Sequence, residues 1–301
     1  KKDGIFVICE NNAYFIQDYH VTKDHELVEV LTSNGTQAQT PAAPNVNLDQ
    51  SKRVIRWAHE DVEQVLRRRY LLRPVAIEIF SVDGRNSLLV FDLADRERVI
   101  NVMGIKQQVV ANRIASATGV AHSAKSLKLS LKESTDLWTS GQISNFEYLM
   151  RLNTIAGRSY NDLTQYPVFP WIVADYKSQT LDLSNPASYR DLTKPMGALG
   201  EERRIKLLER YEMLDDEVPK FHYGSHYSSA AIVLHYLIRL EPMTQQFLTL
   251  QGGRFDRPDR LFESIGDAWI AASTENPMHV KELVPEFFYL FLASQFEQGA
   301  K

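Results

Sequence analysis

ISNFEYLMRLNTIAGRSYNDLTQYPVFPW, residues Ile143 to Trp171, is the most informative segment for the architecture of the second half of the chain. Its first part has the apolar spacing of a short helix. Ser144 is the predicted N-cap, and Glu147, three residues later, is its predicted capping-box partner. Gly157 is predicted to end the helix, because glycine adopts the left-handed backbone at low energetic cost.

The pattern changes at Tyr166. Pro167 and Pro170 exclude the interior of a helix and of a central strand, but the residues around them are too apolar to lie in water. A buried and irregular backbone is therefore predicted here. Its peptide groups need hydrogen-bond partners, and the polar side chains that precede it, such as Asn153 and Arg158, are the predicted suppliers.

This stretch resembles the signature of the BEACH domain, and the similarity continues in the family's order. The later blocks are LDLSNPASYRDLTKPMG (Leu181 to Gly197), FHYGSHYSSAAIVLHYLIRLEP (Phe221 to Pro242), GGRFDRPDRLFESI (Gly252 to Ile265) and VKELVPEFFYL (Val280 to Leu290). Upstream, RRRYLLRPVAIEIFSVDGRNSLLVF (Arg67 to Phe91) resembles the pleckstrin-homology (PH)-like domain that precedes BEACH domains. The sequence is similar to large proteins of the beige, neurobeachin, autophagy-linked FYVE protein and plant SPIRRIG type.

The resemblance implies a multidomain α+β fold. We expect a PH-like β-barrel with a C-terminal helix in residues 1–105, a linker with marginal helices in 106–133, and a mostly α BEACH domain with extended irregular core segments in 134–301. The family's first PH strand would precede residue 1. Its closing BEACH helices, and a WD-repeat region, would follow the end of the chain, so we expect a piece of a larger protein.

Local patterns refine this outline. Alternating residues predict strands in the first thirty residues, and Asp83-Gly84 between two apolar runs predicts a hairpin. Thr32 to Ser51 is polar and lacks apolar periodicity, so a mobile loop is predicted there. Asp95 to Gly104 is predicted to be the closing helix of the PH-like domain. Arg203 to Met213 is predicted to be an amphipathic surface helix, with Ile205, Leu208 and Tyr211 on its buried face.

Composition excludes several classes of protein. The chain has 301 residues, of which 44% are hydrophobic and 24% charged, the average of soluble domains. Its net charge of −4 does not favour nucleic acid as a partner. The single cysteine, Cys9, excludes an internal disulfide and fits a reducing compartment.

The sequence offers no convincing metal site. His222 and His226 stand four residues apart, which is the spacing of a zinc pair on a helix. The glutamate of an H-E-x-x-H motif is missing, because Tyr223 takes its place, and Gly224 weakens a helix there. His235 lies in an apolar segment and is predicted to be a core histidine. No metal and no cofactor are therefore predicted.

Acid–base catalysis lacks a candidate too. Acidic residues near the C-terminus (Asp256, Asp259, Glu282 and Glu286) alternate with basic ones (Arg254, Arg257, Arg260 and Lys281). The alternation favours structural ion pairs over carboxylates paired for proton transfer. We predict that the chain is not an enzyme.

Lipid binding is an alternative. PH folds often hold inositol phosphates through several converging Lys or Arg side chains. Arg67, Arg68 and Arg69 form the main basic cluster of the predicted PH-like domain, so the alternative function is a phosphoinositide-binding peripheral membrane adaptor. The other interpretation of the cluster is a packed arginine row that faces another domain.

Glu78 lies in VAIEIF, a strand apolar enough to be buried, where a carboxylate needs a partner. A local partner such as Arg73, or exposure on one sheet face, would explain it. The resemblance implies instead that polar residues join the PH-like and BEACH domains. In that interpretation the interdomain or partner-binding residues are Glu78, Arg67, Arg68, Arg69, Tyr70, Asn153, Arg158, Tyr160, Asn161 and Asp162.

The function implied by the resemblance is a non-enzymatic scaffold or adaptor. It would act in vesicle trafficking, in membrane fission or fusion, and in lysosomal or autophagy-related transport. It would bind protein partners and associate peripherally with membranes, with a cytoplasmic location at endomembranes and no nucleic acid.

Overall fold

The computed structural model of the chain describes residues 3–21, 27–33, 36–41, 54–118, 131–215, 217, 219–257, 261–274 and 279–289, with side chains described outside 27–41 and 112–118. The chain divides into two compact units, Lys1–Lys128 and Leu129–Lys301, called here the N-terminal unit and the C-terminal unit. The first is built mainly of strands and the second mainly of helices, so the fold is mixed α+β.

The N-terminal unit contains antiparallel strands followed by one helix. The strands are β1 (Gly4–Ile8), β2 (Asn12–Gln17), β3 (Tyr19–Val21), β4 (Leu27–Ser33), β5 (Thr36–Pro41), β6 (Val54–Ala58), β7 (Val62–Tyr70), β8 (Arg73–Ser81) and β9 (Asn86–Val90), and the helix is α1 (Leu93–Thr118). Within the described residues the strands form three sheets, ordered β1-β2-β6, β3-β4-β5 and β7-β8-β9.

The expected β-barrel is not closed in the described residues. Each sheet is hydrogen-bonded only within itself, whereas a barrel needs a ladder that continues from strand to strand around the whole wall. Apolar side chains from two of the sheets and from α1 nevertheless share one core. Its buried residues are Ala13, Trp57, Val62, Val65, Ile77, Ile79 and Met103.

Two further expectations for this unit need correction. Residues 32–41 were expected to belong to a loop, but β4 and β5 pair there in register from Val28 with Pro41 to Ser33 with Thr36. Hydrogen bonds between the two backbones can form strands even where the side chains show no apolar alternation. The rest of that predicted loop lies outside the described residues. The closing helix is longer than predicted, because α1 continues to Thr118 through the first part of the predicted linker.

The C-terminal unit consists of helices joined by extended segments. The helices are α2 (Leu131–Thr139), α3 (Asn145–Ile155), α4 (Glu201–Met213), α5 (Ala230–Tyr236), α6 (Met243–Leu250), α7 (Ile265–Ser273) and α8 (Glu286–Tyr289), with 3₁₀ turns at Leu163–Gln165, Pro186–Ser188 and Met196–Ala198. No helix in the described part of the chain is both long and apolar enough to cross a membrane.

Both ends of α3 follow from local sequence. The Ser144 side chain accepts a hydrogen bond from the backbone N–H of Glu147, as predicted for an N-cap. Gly157 follows the helix with a φ of 83°, a conformation that favours glycine. The Glu147 carboxylate binds Arg151 at 2.7 Å. The predicted N-cap at Ser144 and the predicted helix end at Gly157 are confirmed, whereas the described contact of the Glu147 carboxylate is with Arg151 and not the capping-box bond to the N–H of Ser144.

The predicted buried face of α4 is wrong. Ile205 and Leu208 are substantially exposed, and the residues that α4 buries are Arg203 and Leu207. Arg203 can be buried because its guanidinium donates to the carbonyls of Ala272 and Met196. Arg203 is therefore buried at a position of α4 that the apolar spacing predicted to be exposed.

A candidate partner-binding pocket in the C-terminal unit

The irregular segment Tyr166–Trp171 is held by side chains that come from the preceding stretch. Asn153 on α3 accepts from the N–H of Val168 at 2.8 Å and donates through Nδ2 to the carbonyl of the same residue at 3.0 Å. Arg158 donates to the carbonyl of Tyr166 at 2.8 Å. The predicted suppliers therefore satisfy this backbone, which is what allows it to be buried.

An extended segment from the end of the described chain supports the other side. Phe169 and Leu283 form an antiparallel bridge with two N–H···O hydrogen bonds of 2.9 Å. The indole N–H of Trp171 donates to the carbonyl of Lys281 at 2.9 Å. Because Phe169 and Trp171 are fully buried, these contacts fix the segment rigidly against the core.

These two segments form part of an open pocket of about 320 Å³. Its lining is mostly apolar and comes from four parts of the unit. The lining residues are Val168, Pro170, Pro195, Met196, Gly197, Tyr223, Ser225, Tyr227, Val280 and Glu282. A concave apolar site with a few polar groups is the usual form of a binding pocket.

One wall of the pocket depends on a glycine. A Cβ atom on Gly197 would stand 2.0 Å from Cε1 of Tyr223, so the tyrosine ring lies directly on the glycine backbone. The neighbouring Met196 is anchored from behind, because its carbonyl accepts from the buried guanidinium of Arg203. The wall is therefore set by close packing and not by a mobile side chain.

The charged group in the lining is Glu282, and its carboxylate is engaged in an ion pair. Nη1 of Arg190 lies 2.9 and 2.8 Å from its two carboxylate oxygens, and the backbone N–H of Trp171 donates to it at 3.0 Å. Burial raises the pKa of Glu282 above its ordinary value, while Arg190 acts in the opposite direction. The carboxylate holds the pocket together and is poorly placed to exchange protons with a substrate.

Tyr227 lines the pocket and is about half exposed. Its hydroxyl accepts from Nη2 of Arg158 at 3.0 Å, and the guanidinium carbon lies 5.4 Å from the centre of its ring. The backbone carbonyl of Tyr227 accepts from the N–H of Glu282 at 2.8 Å. A partly exposed aromatic ring held in one orientation is typical of an anchor for a partner.

The other predicted residues of this unit lie beside the irregular segment. Tyr160 packs edge-on against Tyr166, with ring centres 5.4 Å apart. The backbone N–H of Asn161 donates to the hydroxyl of Ser159 at 3.0 Å. Asp162 caps the following 3₁₀ turn. The structure thus brings Asn153, Arg158, Tyr160, Asn161 and Asp162 into one neighbourhood.

The predicted arginine cluster in the N-terminal unit does not converge. The three arginines follow one another on β7, where successive side chains point to opposite faces. Arg68 is buried, whereas Arg67 and Arg69 are exposed. Arg67 binds Glu97 at 2.9 Å, and Tyr70 ends the strand half-buried. A site that needs three converging guanidinium groups is not formed by this row.

Glu78 is fully buried and has a local partner. Its Oε2 accepts from Nε of Arg68 at 2.7 Å, across the β7–β8 ladder. The cation is Arg68 rather than Arg73, which was the local partner named from the sequence. This ion pair accounts for the buried charge within the N-terminal unit, and the interdomain role of Glu78 and Asn153 stays a prediction.

Two of the histidines singled out from the sequence, His222 and His235, lie in contacts with aromatic rings, whereas His226 is exposed. His222 stacks on Tyr211 with ring centres 4.2 Å apart. Burial, with a contribution from the charge of Lys281, lowers the pKa of His235 to about 4, so this histidine is neutral at physiological pH. Among the described residues, no group of three or more His, Cys, Asp or Glu side chains is arranged to hold a metal ion.

Sequence reasoning missed the residues that build the pocket. It assigned Glu282 to ion pairs with its neighbours in sequence, but the partner is Arg190, 92 positions away. It gave no role to Tyr223 or Tyr227, although both fall in a block that carries the resemblance. The sequence signal that could have indicated this pocket is the occurrence of proline and tyrosine close to glycine, as at Pro195, Gly197 and Tyr223.

Comparison with known proteins identifies both units. Residues 136–298 match the family described as Beige/BEACH domain, and residues 1–104 match the PH domain associated with Beige/BEACH. The chain is 52% identical over 252 residues to Protein SPIRRIG of Arabidopsis thaliana, covering 80% of this chain and 7% of that protein. It is 39% identical over 330 residues to Beige protein homolog 1 of Saccharomyces cerevisiae, covering 96% of this chain and 15% of that protein.

These matches confirm the resemblance drawn from the sequence blocks. The similar proteins are much longer than the 301 residues here, since the chain spans from 7% to 15% of the length of the relatives named. Neither family description names an enzymatic activity.

Proposed function

We propose that this chain, which belongs to the BEACH family and carries the PH domain associated with it, is a non-enzymatic scaffold of vesicle trafficking. Its role would extend to membrane fission or fusion and to lysosomal or autophagy-related transport. The protein would be cytoplasmic and peripheral to endomembranes, and it would act by binding other proteins. The observation that carries this proposal is the open apolar pocket of about 320 Å³ in the C-terminal unit.

The size and lining of the pocket support a peptide as the ligand. Its volume lies at the lower end of the range for ligand sites, roughly 300–1,000 Å³. Prolines, a methionine, valines and two tyrosines line it. This is the setting of an interface hot spot, where one large apolar side chain of a partner is desolvated. We therefore propose that a partner inserts an aromatic or branched aliphatic side chain here.

The polar groups around the pocket support binding over catalysis. Glu282 is engaged by Arg190, and the hydroxyl of Tyr227 is engaged by Arg158. A catalytic acid or base has to be within reach of the substrate and free to change its protonation state. Groups committed to structural hydrogen bonds instead give a fixed surface, which lowers the entropy lost when a partner binds.

The test is a peptide-binding measurement on the 301-residue chain. Peptides selected from a random display library would be labelled and titrated by fluorescence anisotropy. Ser225→Phe places a bulky side chain in the pocket and is expected to weaken binding at least about tenfold, as for loss of a hot spot. The matched control is His226→Phe, which adds the same ring at an exposed neighbour outside the lining.

The outcomes separate the alternatives. Selection of peptides with one large apolar residue, and their loss in Ser225→Phe but not in His226→Phe, is the expected result. If no peptide is selected, or if both variants bind equally well, the pocket is not the partner site. The same two changes in the full-length protein in cells, followed by transport of a lysosomal cargo, test the proposed role in trafficking.

A further inference from the structure

The tip of the β7–β8 hairpin exposes two leucines in an unusual conformation. Tyr70 pairs with Arg73, so only Leu71 and Leu72 form the turn. Their φ angles are 48° and 65°, and their exposed fractions are 56% and 66%. Two-residue turns with both φ angles positive favour Asn-Gly. Glycine adopts this left-handed backbone at no steric cost and asparagine at a lower cost than most residues, whereas leucine is strained there. Leucine at both positions has no explanation in turn chemistry.

Positive charge flanks the two leucines. Arg69 and Arg73 are exposed on either side of the turn, and neither has an ion-pair partner among the residues that the structure describes. Arg67, two residues further along the same strand face as Arg69, is bound to Glu97 at 2.9 Å. Of these three arginines, the two nearest to the tip are thus the ones without an ion pair to a residue in the described part of the chain.

More apolar surface lies at the same end of the sheet. The N–H of Phe91 donates to the carbonyl of Val75, so the end of β9 lies beside the start of β8. Pro74 and Leu93 are exposed there as well. Three acidic side chains lie near this end of the sheet. Asp95 is paired with Arg98 at 3.4 Å, and Glu97 is paired with Arg67 and Arg96, whereas Asp92 is exposed between Phe91 and Leu93.

We propose that this hairpin tip is a membrane wedge, which inserts Leu71 and Leu72 into the interface of an anionic lipid bilayer while Arg69 and Arg73 contact the headgroup phosphates. An anionic bilayer is the ligand that complements this tip. The leucines at the turn match its acyl chains, and the guanidinium groups behind them match its negatively charged surface. Exposed leucines in strained backbone conformations cost free energy in water. Insertion into the bilayer removes their side chains from water and so offsets that cost.

The wedge differs from a phosphoinositide pocket and from the partner pocket in the C-terminal unit. Arg68 points into the core and binds Glu78, so the arginine row cannot surround one headgroup. Binding by the wedge depends on the surface charge and on the two leucines, not on the stereochemistry of an inositol ring. A failure of the wedge would leave the peptide-binding proposal unchanged, because its test involves different residues.

The test uses vesicle flotation of the 301-residue chain, with phosphatidylcholine alone and with added phosphatidylserine. Binding to the anionic vesicles is expected to weaken as salt is raised to about 0.15 M, since screening shortens the reach of exposed charges. Leu71→Asn/Leu72→Gly replaces the leucines by the preferred turn residues. It is expected to weaken binding about tenfold or more, while the thermal midpoint stays equal or rises.

Weaker binding without any loss of thermal stability distinguishes a wedge from a structural turn. Arg69→Gln/Arg73→Gln is expected to remove the salt-dependent part of binding. The matched control is Val82→Ser, because Val82 is 64% exposed and follows the opposite end of β8. With Cys9→Ser as background, an environment-sensitive dye on Leu72→Cys should shift to the blue on vesicles, and the same dye on Val82→Cys should not.

Three results would overturn the proposal. The first is absence of binding to anionic vesicles at low salt. The second is unchanged binding of Leu71→Asn/Leu72→Gly, which would also be the outcome if the tip docked only on a protein. The third is a strong preference for phosphoinositide over phosphatidylserine at matched charge together with indifference to the leucine changes, which would assign headgroup recognition to another surface.

Discussion

Arg190 and Glu282 lie 92 positions apart, and their side chains form a largely buried ion pair in which one guanidinium nitrogen binds both carboxylate oxygens. The arginine also donates to the carbonyl of Lys194 at 3.1 Å. The pair joins the loop before the 3₁₀ turn at Met196–Ala198 to the extended segment that carries Val280. Both of these parts line the pocket, so the ion pair sets the distance between two of its walls.

Loss of this cation should destabilise the C-terminal unit. Arg190→Met leaves Glu282 partly buried without its counter-ion and is expected to lower the free energy of unfolding by about 3 kcal/mol. The measurement is urea unfolding followed by tryptophan fluorescence. Arg204→Met is the control, because Arg204 binds Glu201 at the surface and such pairs contribute about 0–1 kcal/mol. Equal effects of both changes would show that the pocket does not depend on the ion pair.

Asn153 should be required by the backbone that it holds. Asn153→Leu keeps the approximate volume but leaves the N–H and carbonyl of Val168 without these partners. Each unsatisfied buried group costs about 1–3 kcal/mol, so a loss of about 2–4 kcal/mol is expected. Asn145→Leu is the control on the same helix, since Asn145 is exposed and accepts only from Trp138 in the contacts described. The comparison is again by chemical unfolding, and a small effect at residue 153 would contradict the prediction.

Glu286 should make stability depend on pH. It is buried, and its Oε1 accepts from the hydroxyl of Tyr166 at 2.6 Å, with Tyr289 nearby at 3.4 Å. Burial raises the pKa of the Glu286 carboxyl above its ordinary value, against the lowering effect of the Tyr166 hydroxyl. The folded state therefore holds the proton more tightly than the unfolded state. The stability from this group is complete below the unfolded pKa and is lost as pH rises through the folded pKa.

Glu286→Gln removes that titration and keeps an oxygen for Tyr166. The variant is expected to be more stable than the wild type near pH 7 and to lose this advantage near pH 4, because the wild-type carboxyl is then neutral as well. Urea midpoints across this range give the measurement. Glu209→Gln, at an exposed position of α4, is the control that should follow the wild type. A difference between wild type and Glu286→Gln that does not change with pH would refute the prediction.

Arg68 and Glu78 should be coupled in the N-terminal unit. Arg68→Met leaves a fully buried carboxylate without this cation and is expected to cost about 3–5 kcal/mol. The double variant Arg68→Met/Glu78→Leu is expected to recover most of that loss, because an apolar pair of similar volume avoids the desolvation of both charges. Arg85→Met, which breaks a surface pair with Asp83, serves as the control. Additive effects at residues 68 and 78 would argue against the coupling.

Some of the fold was predictable because the information is local. The cap of α3 at Ser144 and its end at Gly157 depend on hydrogen bonds and dihedral angles within a few residues. The hairpin at Asp83-Gly84 depends on the left-handed turn that Gly84 adopts with a φ of 82°. The same kind of local argument failed for residues 32–41, where strand pairing across the sheet overrode a polar sequence.

The family, the α+β class, the two ends of α3, the turn at Asp83-Gly84 and the need of the Tyr166–Trp171 backbone for polar partners could all be predicted from the amino-acid sequence. Which charged side chains pair with each other became known only from the folded chain. Arg190 reaches Glu282, Arg203 enters the core against backbone carbonyls, and Arg68 rather than Arg73 neutralises Glu78. The partner of a charged side chain cannot be predicted from its position in the sequence. Its burial becomes favourable only when the folded chain brings an opposite charge or a carbonyl oxygen to it.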